Sequence, residues 1–429
     1  MADSIVASLP IEIVAEFLTH SILAPGSISR HRGPLLLTQI CSLWRQIALR
    51  TPAIWTQIAL PTNMPNLVEA LEAWLQRSGG LPVTLELSGP PEKIKDFTGF
   101  AAALRAHSDR ITSLELFQRC LNDLVMLGDS ALELPHLETL LIEQDTERDP
   151  DLITFFGSGR CPRLSKVSLY EISPAGLVIP WTQITSFTGL KYSIEYAVFA
   201  LRNAPNCTHL TLGIYETVRS GNPSPFTHPN IEHLSINTDP TEDQPHILTF
   251  FTFPALRSLE IADSDNLQPE VLEAFLERSA APLESLLLFP DAKQDALSIK
   301  TFASLNHLTT LEIWHPQWEW VEDFHECFAS DRTFLRRLES LTFGCRYAEM
   351  DETEADLQYF LDNTGEAATG RYALAETGAV SKCSIHIIAA ETIYRINSKF
   401  DVSEEELAAF QALRAQGIMV YITVESSKL

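Results

Sequence analysis

Positive charge is scarce in this sequence: 31 lysines and arginines stand against 56 aspartates and glutamates in 429 residues, a formal charge of −25. A field of that sign repels phosphate backbones and anionic lipid headgroups, so neither nucleic acid nor a membrane surface is expected as a partner. Cysteine is sparse as well. Cys41, Cys120, Cys161, Cys207, Cys327, Cys345 and Cys383 form no C-x-x-C pair and no even framework, which fits free thiols in a reducing compartment. No apolar run approaches about 18 residues, and no basic segment leads into one at the start, so neither a membrane-spanning helix nor a secretory leader is expected. Catalytic signatures are missing too: there is no Gly-rich phosphate loop, G-x-S-x-G elbow, H-E-x-x-H or paired-cysteine ligand motif. The expectation is a soluble, non-enzymatic protein of the cytoplasm, the nucleus or both, with no cofactor and no metal.

What is present begins with Leu9 to Leu60. LPIEIVAEFLTHSI carries Leu9, Ile13 and Phe17 at helical spacing, and LLLTQICSLWRQIALRTPAIWTQIAL carries Leu36, Ile40, Trp44 and Ile47. Neither half can bury its stripe alone, and the Pro-, Gly-, Ser- and Arg-rich stretch from Ala24 to Pro34 suits a turn between two packed helices. Cys41, beside Trp44, reads as a small buried hydrophobe. The Leu-Pro start, the Glu-Ile that follows, the Cys-x-x-Trp-Arg run and the late Trp55 together resemble the F-box, most closely the F-box-like form common in fungal proteins. That resemblance implies docking on a Skp-type adaptor and, through it, a cullin, with Leu9, Pro10 and Ile13 lining the contact. Phe17, Leu36, Ile40 and Trp44 would be divided between contact and module core.

Residues 61–110 read as a linker helix, PNLVEALEAWLQRSG, with Trp74 in the core, and a first strand in which Leu81, Val83, Leu85 and Leu87 alternate inward. From there to about residue 350 the chain repeats six-residue frames with apolar residues at the first, fourth and sixth positions. They start at Ile111, Leu137, Leu164, Cys207, Ile231, Leu256, Leu283, Leu308 and Leu338, with a degenerate ITSFTG at Ile184. Most follow a proline turn, and their spacing of about 20 to 30 residues is the period of leucine-rich repeats. Helices are expected between strands at Tyr192 to Ala204 and Gln268 to Ala280. The set resembles the irregular leucine-rich repeats found behind F-box modules. The fold class expected is α/β: a small N-terminal helical module over 1–60, then a horseshoe solenoid of alternating strands and helices over 111–350.

Residues 351–429 read as an acidic segment, then a strand-helix-strand cap built from CSIHIIAAE, SEEELAAFQALRAQG and IMVYITVE. The cluster His315, Asp323, His325 and Cys327 is the best approach to a metal site, but two residues' separation points His325 and Cys327 to different helix faces. On the strand side turned away from the apolar frames, Glu115, Glu143, Glu260 and Glu312 outnumber Lys166, so a protein substrate with a basic segment is expected. The outward positions then turn apolar, with Leu287, Phe289, Glu312 and Trp314 together as the substrate-binding candidate; the alternative is that the insertion after Trp314 folds back and buries these rings as a local core. The family resemblance thus implies a substrate-recognition subunit of a cullin-based, SCF-type ubiquitin ligase. The alternative is a leucine-rich-repeat scaffold that binds proteins without any ligase.

Overall fold

A computed structural model describes residues 10–23, 33–89, 94–117, 132–143, 156–157, 159–216, 224–238, 246–263, 267–289, 299–314, 316, 318–346, 354–390 and 404–425. The class is mixed α/β. The described residues carry eleven helices and sixteen strands, the strands in parallel ladders. They fall into two compact units, residues 1–192 with 196–207, and residues 193–195 with 208–429.

The first unit opens with three short helices, α1 (Ile11–Leu23), α2 (Gly33–Ile40) and α3 (Ser42–Arg50). Where the spacing of Leu36, Ile40, Trp44 and Ile47 predicts one continuous helix, the structure has two. Cys41 is extended (φ −157°, ψ 172°), and its Sγ accepts the Trp44 N–H at 3.4 Å as the cap of α3. The Arg45 Nε donates to the Thr38 carbonyl at 2.7 Å, satisfying an acceptor at the end of α2. The module's last residues are also not helical. A short 3-10 turn, Pro52–Trp55, buries Trp55 completely, with its Nε1 donating to the Ala48 carbonyl at 2.8 Å, and β1 (Gln57–Pro61) follows as a strand.

The linker helix forms as α4 (Leu67–Arg77), burying Leu67, Leu71, Trp74 and Leu75. Trp74 meets Trp55 edge-on at 5.2 Å. β2 (Val83–Ser88) buries Val83, Leu85 and Leu87 as expected, but Leu81 lies in the preceding turn and is exposed. Its carbonyl there accepts the Arg110 Nε at 3.0 Å. After α5 (Phe97–Ala106), each frame of this unit becomes a strand: β3 (Ile111–Phe117), β4 (Thr139–Glu143), β5 (Lys166–Tyr170) and β6 (Ser186–Ser193). β1 to β6 pair in parallel, each with the next. Tyr192, expected to open the following helix, lies within β6 instead with its ring fully buried; α6 spans Ile194–Asn203.

In the second unit the frames give β7 (His209–Glu216), then β9 (His233–Thr238), β11 (Ser258–Asp263), β12 (Ser285–Phe289), β13 (Thr310–Trp314) and β14 (Ser340–Arg346), and the two strands expected in the C-terminal cap give β15 (Ser384–Ala390) and β16 (Val420–Glu425), hydrogen-bonded in that order. The numbering skips β8 (Phe226–Thr227) and β10 (Phe251–Thr252), a separate parallel pair that the sequence does not announce. Between them lie α7 (Pro269–Ser279), α8 (Ile299–Ala303), α9 (Trp318–Ser330), α10 (Glu354–Glu376) and α11 (Glu404–Ala415). The acidic stretch is therefore helical from Glu354 and runs on past residue 366; residues 347–353 lie outside the described set.

The frame pattern works as physical chemistry says it should. First, fourth and sixth residues are buried in every frame of this unit, as in Leu256, Leu259 and Ile261, or Leu283, Leu286 and Leu288. The carbonyl just before each strand accepts two successive N–H groups from the next frame. Glu232 takes Arg257 and Ser258 at 2.8 and 2.9 Å, Arg257 takes Glu284 and Ser285, and Glu284 takes Thr309 and Thr310. Burial drives the frames together, at roughly 1.5–3 kcal/mol per large apolar side chain, and these paired bonds fix their register.

A second core lies between the helices and β14. Phe302, Trp320, Phe324, Phe328, Phe334, Phe343 and Phe360 pack there ring on ring. Arg371 of α10 is buried beside it, donating to the carbonyls of Phe334 and Leu335 and lying 4.7 Å over the Phe328 ring. That clamp ties α10 to the turn before β14, where Leu335 adopts a positive φ of 43°.

Candidate functional site

Two surfaces stand out, one in each unit. The first is built by α1, α2 and α3. Their buried residues are Val14 and Leu18 in α1, Pro34 and Leu37 in α2, and Ile47 and Ala48 in α3. In α1 and α2 the stripe read from the sequence falls one residue short of this core at Ile13, Phe17 and Leu36, while Ile47 in α3 is buried as expected. Ile13 (54% exposed), Phe17 (61%) and Ile40 (58%) therefore face out, with Leu36 and Pro10 exposed beside them in sequence. Trp44 is half-buried, its ring meeting Phe17 edge-on at 6.4 Å. Leu9 lies outside the described residues. Ile11, Leu35, Leu43 and Leu49 are exposed too and were not singled out in the sequence. Most large hydrophobics exposed among the described residues thus sit on three consecutive short helices. Cys41, expected to be buried, is exposed at the α2–α3 break.

The second surface is the side of β11 to β14 turned away from the apolar frames. Register sets Glu260, Leu287, Glu312 and Thr342 side by side across four strands. One outward position further along, Ala262 pairs with Phe289 and Trp314 pairs with Gly344. The Phe289 and Trp314 rings stack at 5.5 Å with planes 19° apart, and both are half-exposed. Trp314 is held in place twice over. Its Nε1 donates to Glu312 Oε1 at 2.6 Å, and its ring lies over Gly344, where any Cβ would stand 2.2 Å from the indole Cδ2. A glycine inside a strand marks such a close approach, so Gly344 in LTFGC is the readable signal of it in the sequence. Trp320 takes no part, being buried in the aromatic core.

In the first unit the outward acidic positions behave differently. Glu86, unnoticed in the sequence, is paired in register with Glu115 and is buried, while Glu143 stands beside Tyr170 and two outward positions from the exposed Lys166.

The suggested metal cluster is not assembled. His315 lies outside the described residues, Asp323 is exposed and Cys327 is half-exposed, its thiol pushed up by burial and then by Asp331, Glu326 and Asp323. His325 is buried against the rings of Phe324, Phe343 and Phe360 with no hydrogen bond to either nitrogen, and burial lowers it to about 4. Among the described residues no group of three or more His, Cys, Asp or Glu is placed to hold a metal ion, and no helix is long and apolar enough to cross a membrane. Set beside protein-family models and curated proteins, the sequence matches none.

Proposed function

We propose that this chain is the substrate-recognition subunit of a cullin-based, SCF-type ubiquitin ligase, with α1–α3 as an F-box-like module docking on a Skp-type adaptor. The strand frames serve as an irregular leucine-rich-repeat solenoid that holds a protein substrate. The observation that carries the reading is the outward apolar face of the helices. Pro10 and Ile13, which the F-box resemblance puts at the adaptor contact, and Phe17, Leu36 and Ile40, which it divides between contact and module core, are all exposed. Full burial of such a side chain is worth roughly 1.5–3 kcal/mol, and a docked partner recovers the part now left in water. The chain itself does no chemistry in this scheme, acting in the cytoplasm or nucleus. Its contribution is positional, raising the local concentration of substrate lysines near a ubiquitin-charged enzyme held by the rest of the complex.

The test is co-expression with a Skp-type adaptor. The wild-type chain is expected to co-purify with it, and Phe17→Ala with Ile40→Ala is expected to abolish co-purification while leaving the melting temperature in place. A wild-type chain that does not bind the adaptor, or a double variant that binds unchanged, overturns the ligase reading and leaves the scaffold.

A further inference from the structure

We infer that the outward side of β11–β13 recognises an extended, polyproline-type peptide segment carrying two basic side chains three residues apart, with an apolar residue between them. The inference rests on the reading of this face as a protein-holding surface and adds the chemistry of what it holds.

Charge comes first. The outward positions of β11–β13, Ser258, Glu260 and Ala262, Ser285, Leu287 and Phe289, and Thr310, Glu312 and Trp314, include two charged side chains, Glu260 and Glu312, both acidic. Leu287 stands between them in register. A segment crossing the strands therefore meets carboxylate, apolar side chain, carboxylate. That sequence of groups complements two cations whose aliphatic stems lie over Leu287.

Spacing selects the conformation. Glu260 and Glu312 lie two strands apart, about 9.6 Å at the usual inter-strand distance. A polyproline helix repeats every three residues with a rise of about 3.1 Å, so residues i and i+3 project from one side about 9.3 Å apart. A β-extended segment offers about 6.8 or about 13.6 Å on one side, and neither fits. An α-helix offers about 10.5 Å at i and i+7, but its diameter is about 10–12 Å. The Phe289–Trp314 stack stands one outward position along the strands, about 7 Å away, and would lift so wide a rod off the acidic row. A thin polyproline segment lies beside the stack and sets an intervening apolar residue against it. Trp314, fixed by Glu312 and by the bare backbone of Gly344, is pre-organised for that contact.

The experiment probes the intact chain with an array of short alanine-proline peptides carrying two arginines at separations of one to seven residues. The strongest signal is expected at a separation of three, rising when leucine stands between the arginines and falling steeply with salt. Glu260→Gln and Glu312→Gln should each weaken that peptide about tenfold, on the order of one charge-assisted bond. Glutamine at 312 still accepts the indole N–H, so its effect reports charge and not ring placement. Trp314→Ala should remove the gain from leucine and leave the melting temperature nearly unchanged. Equal signals at all separations, a maximum at seven, no binding, or variants that bind like wild type overturn the inference. The array contains no adaptor, so its outcome stands apart from the co-purification result: failure of one does not produce failure of the other.

Discussion

His325 shows what a single buried group can do to this protein. Its imidazole sits among Phe324, Phe343 and Phe360, with burial holding its folded pKa at about 4 against an ordinary 6.5. The unfolded chain therefore takes up this proton at a higher pH than the folded one does. The neutral ring's contribution is fully present above pH 6.5 and is lost as pH falls toward 4, by about 3 kcal/mol in all. His325→Leu removes both the proton site and two buried nitrogens without hydrogen bonds. The variant should match or exceed wild type in urea unfolding at pH 7. Its melting temperature should also fall less than wild type's between pH 6.5 and 4. A pH profile identical to wild type's would mean that His325 titrates normally. Nothing in the sequence marks this residue as core, because a histidine next to Phe324 in WHPQWEWVEDFHECF reads as well toward solvent as toward an aromatic cage.

At the scale of elements, the strands were legible and the first helices were only half so. A frame with apolar residues at positions one, four and six has one way to bury them, and each frame became a strand with those residues inside. In α1 and α2 the apolar residues come in adjacent pairs, Ile13 with Val14, Phe17 with Leu18, Leu36 with Leu37. Helical periodicity then admits two stripes about 100° apart, and only packing on α3 and the Trp55 turn chooses between them. The choice is measurable at the last pair. Leu37→Ala should cost about 2–5 kcal/mol of unfolding free energy, as expected for a buried leucine. Leu36→Ala should cost under about 0.5 kcal/mol, as expected of a surface site. Reversed values would place the sequence-derived stripe inside after all. The helix break was illegible for a different reason: cysteine is a rare cap, and Cys41 performs the role with a weak sulfur acceptor at 3.4 Å.

For the whole molecule, the charge balance is the property most open to measurement. At −25 the chain repels itself, and the acidic row at Glu260 and Glu312 is part of that load. Raising salt from about 0.01 to about 0.15 M shortens the screening length from about 30 to about 8 Å. The melting temperature should rise across that range, and a flat or falling response would show that favourable ion pairs offset the repulsion. The strand order carries another consequence. Within each unit, every strand of the main ladder pairs with the ladder strand made before it. A ribosome adding residues one by one therefore delivers each new strand to an edge already in place, and no segment waits for a distant partner still to be synthesised. The long-range pairing that makes most parallel sheets slow to assemble is here divided into short loop closures, taken in the order of translation.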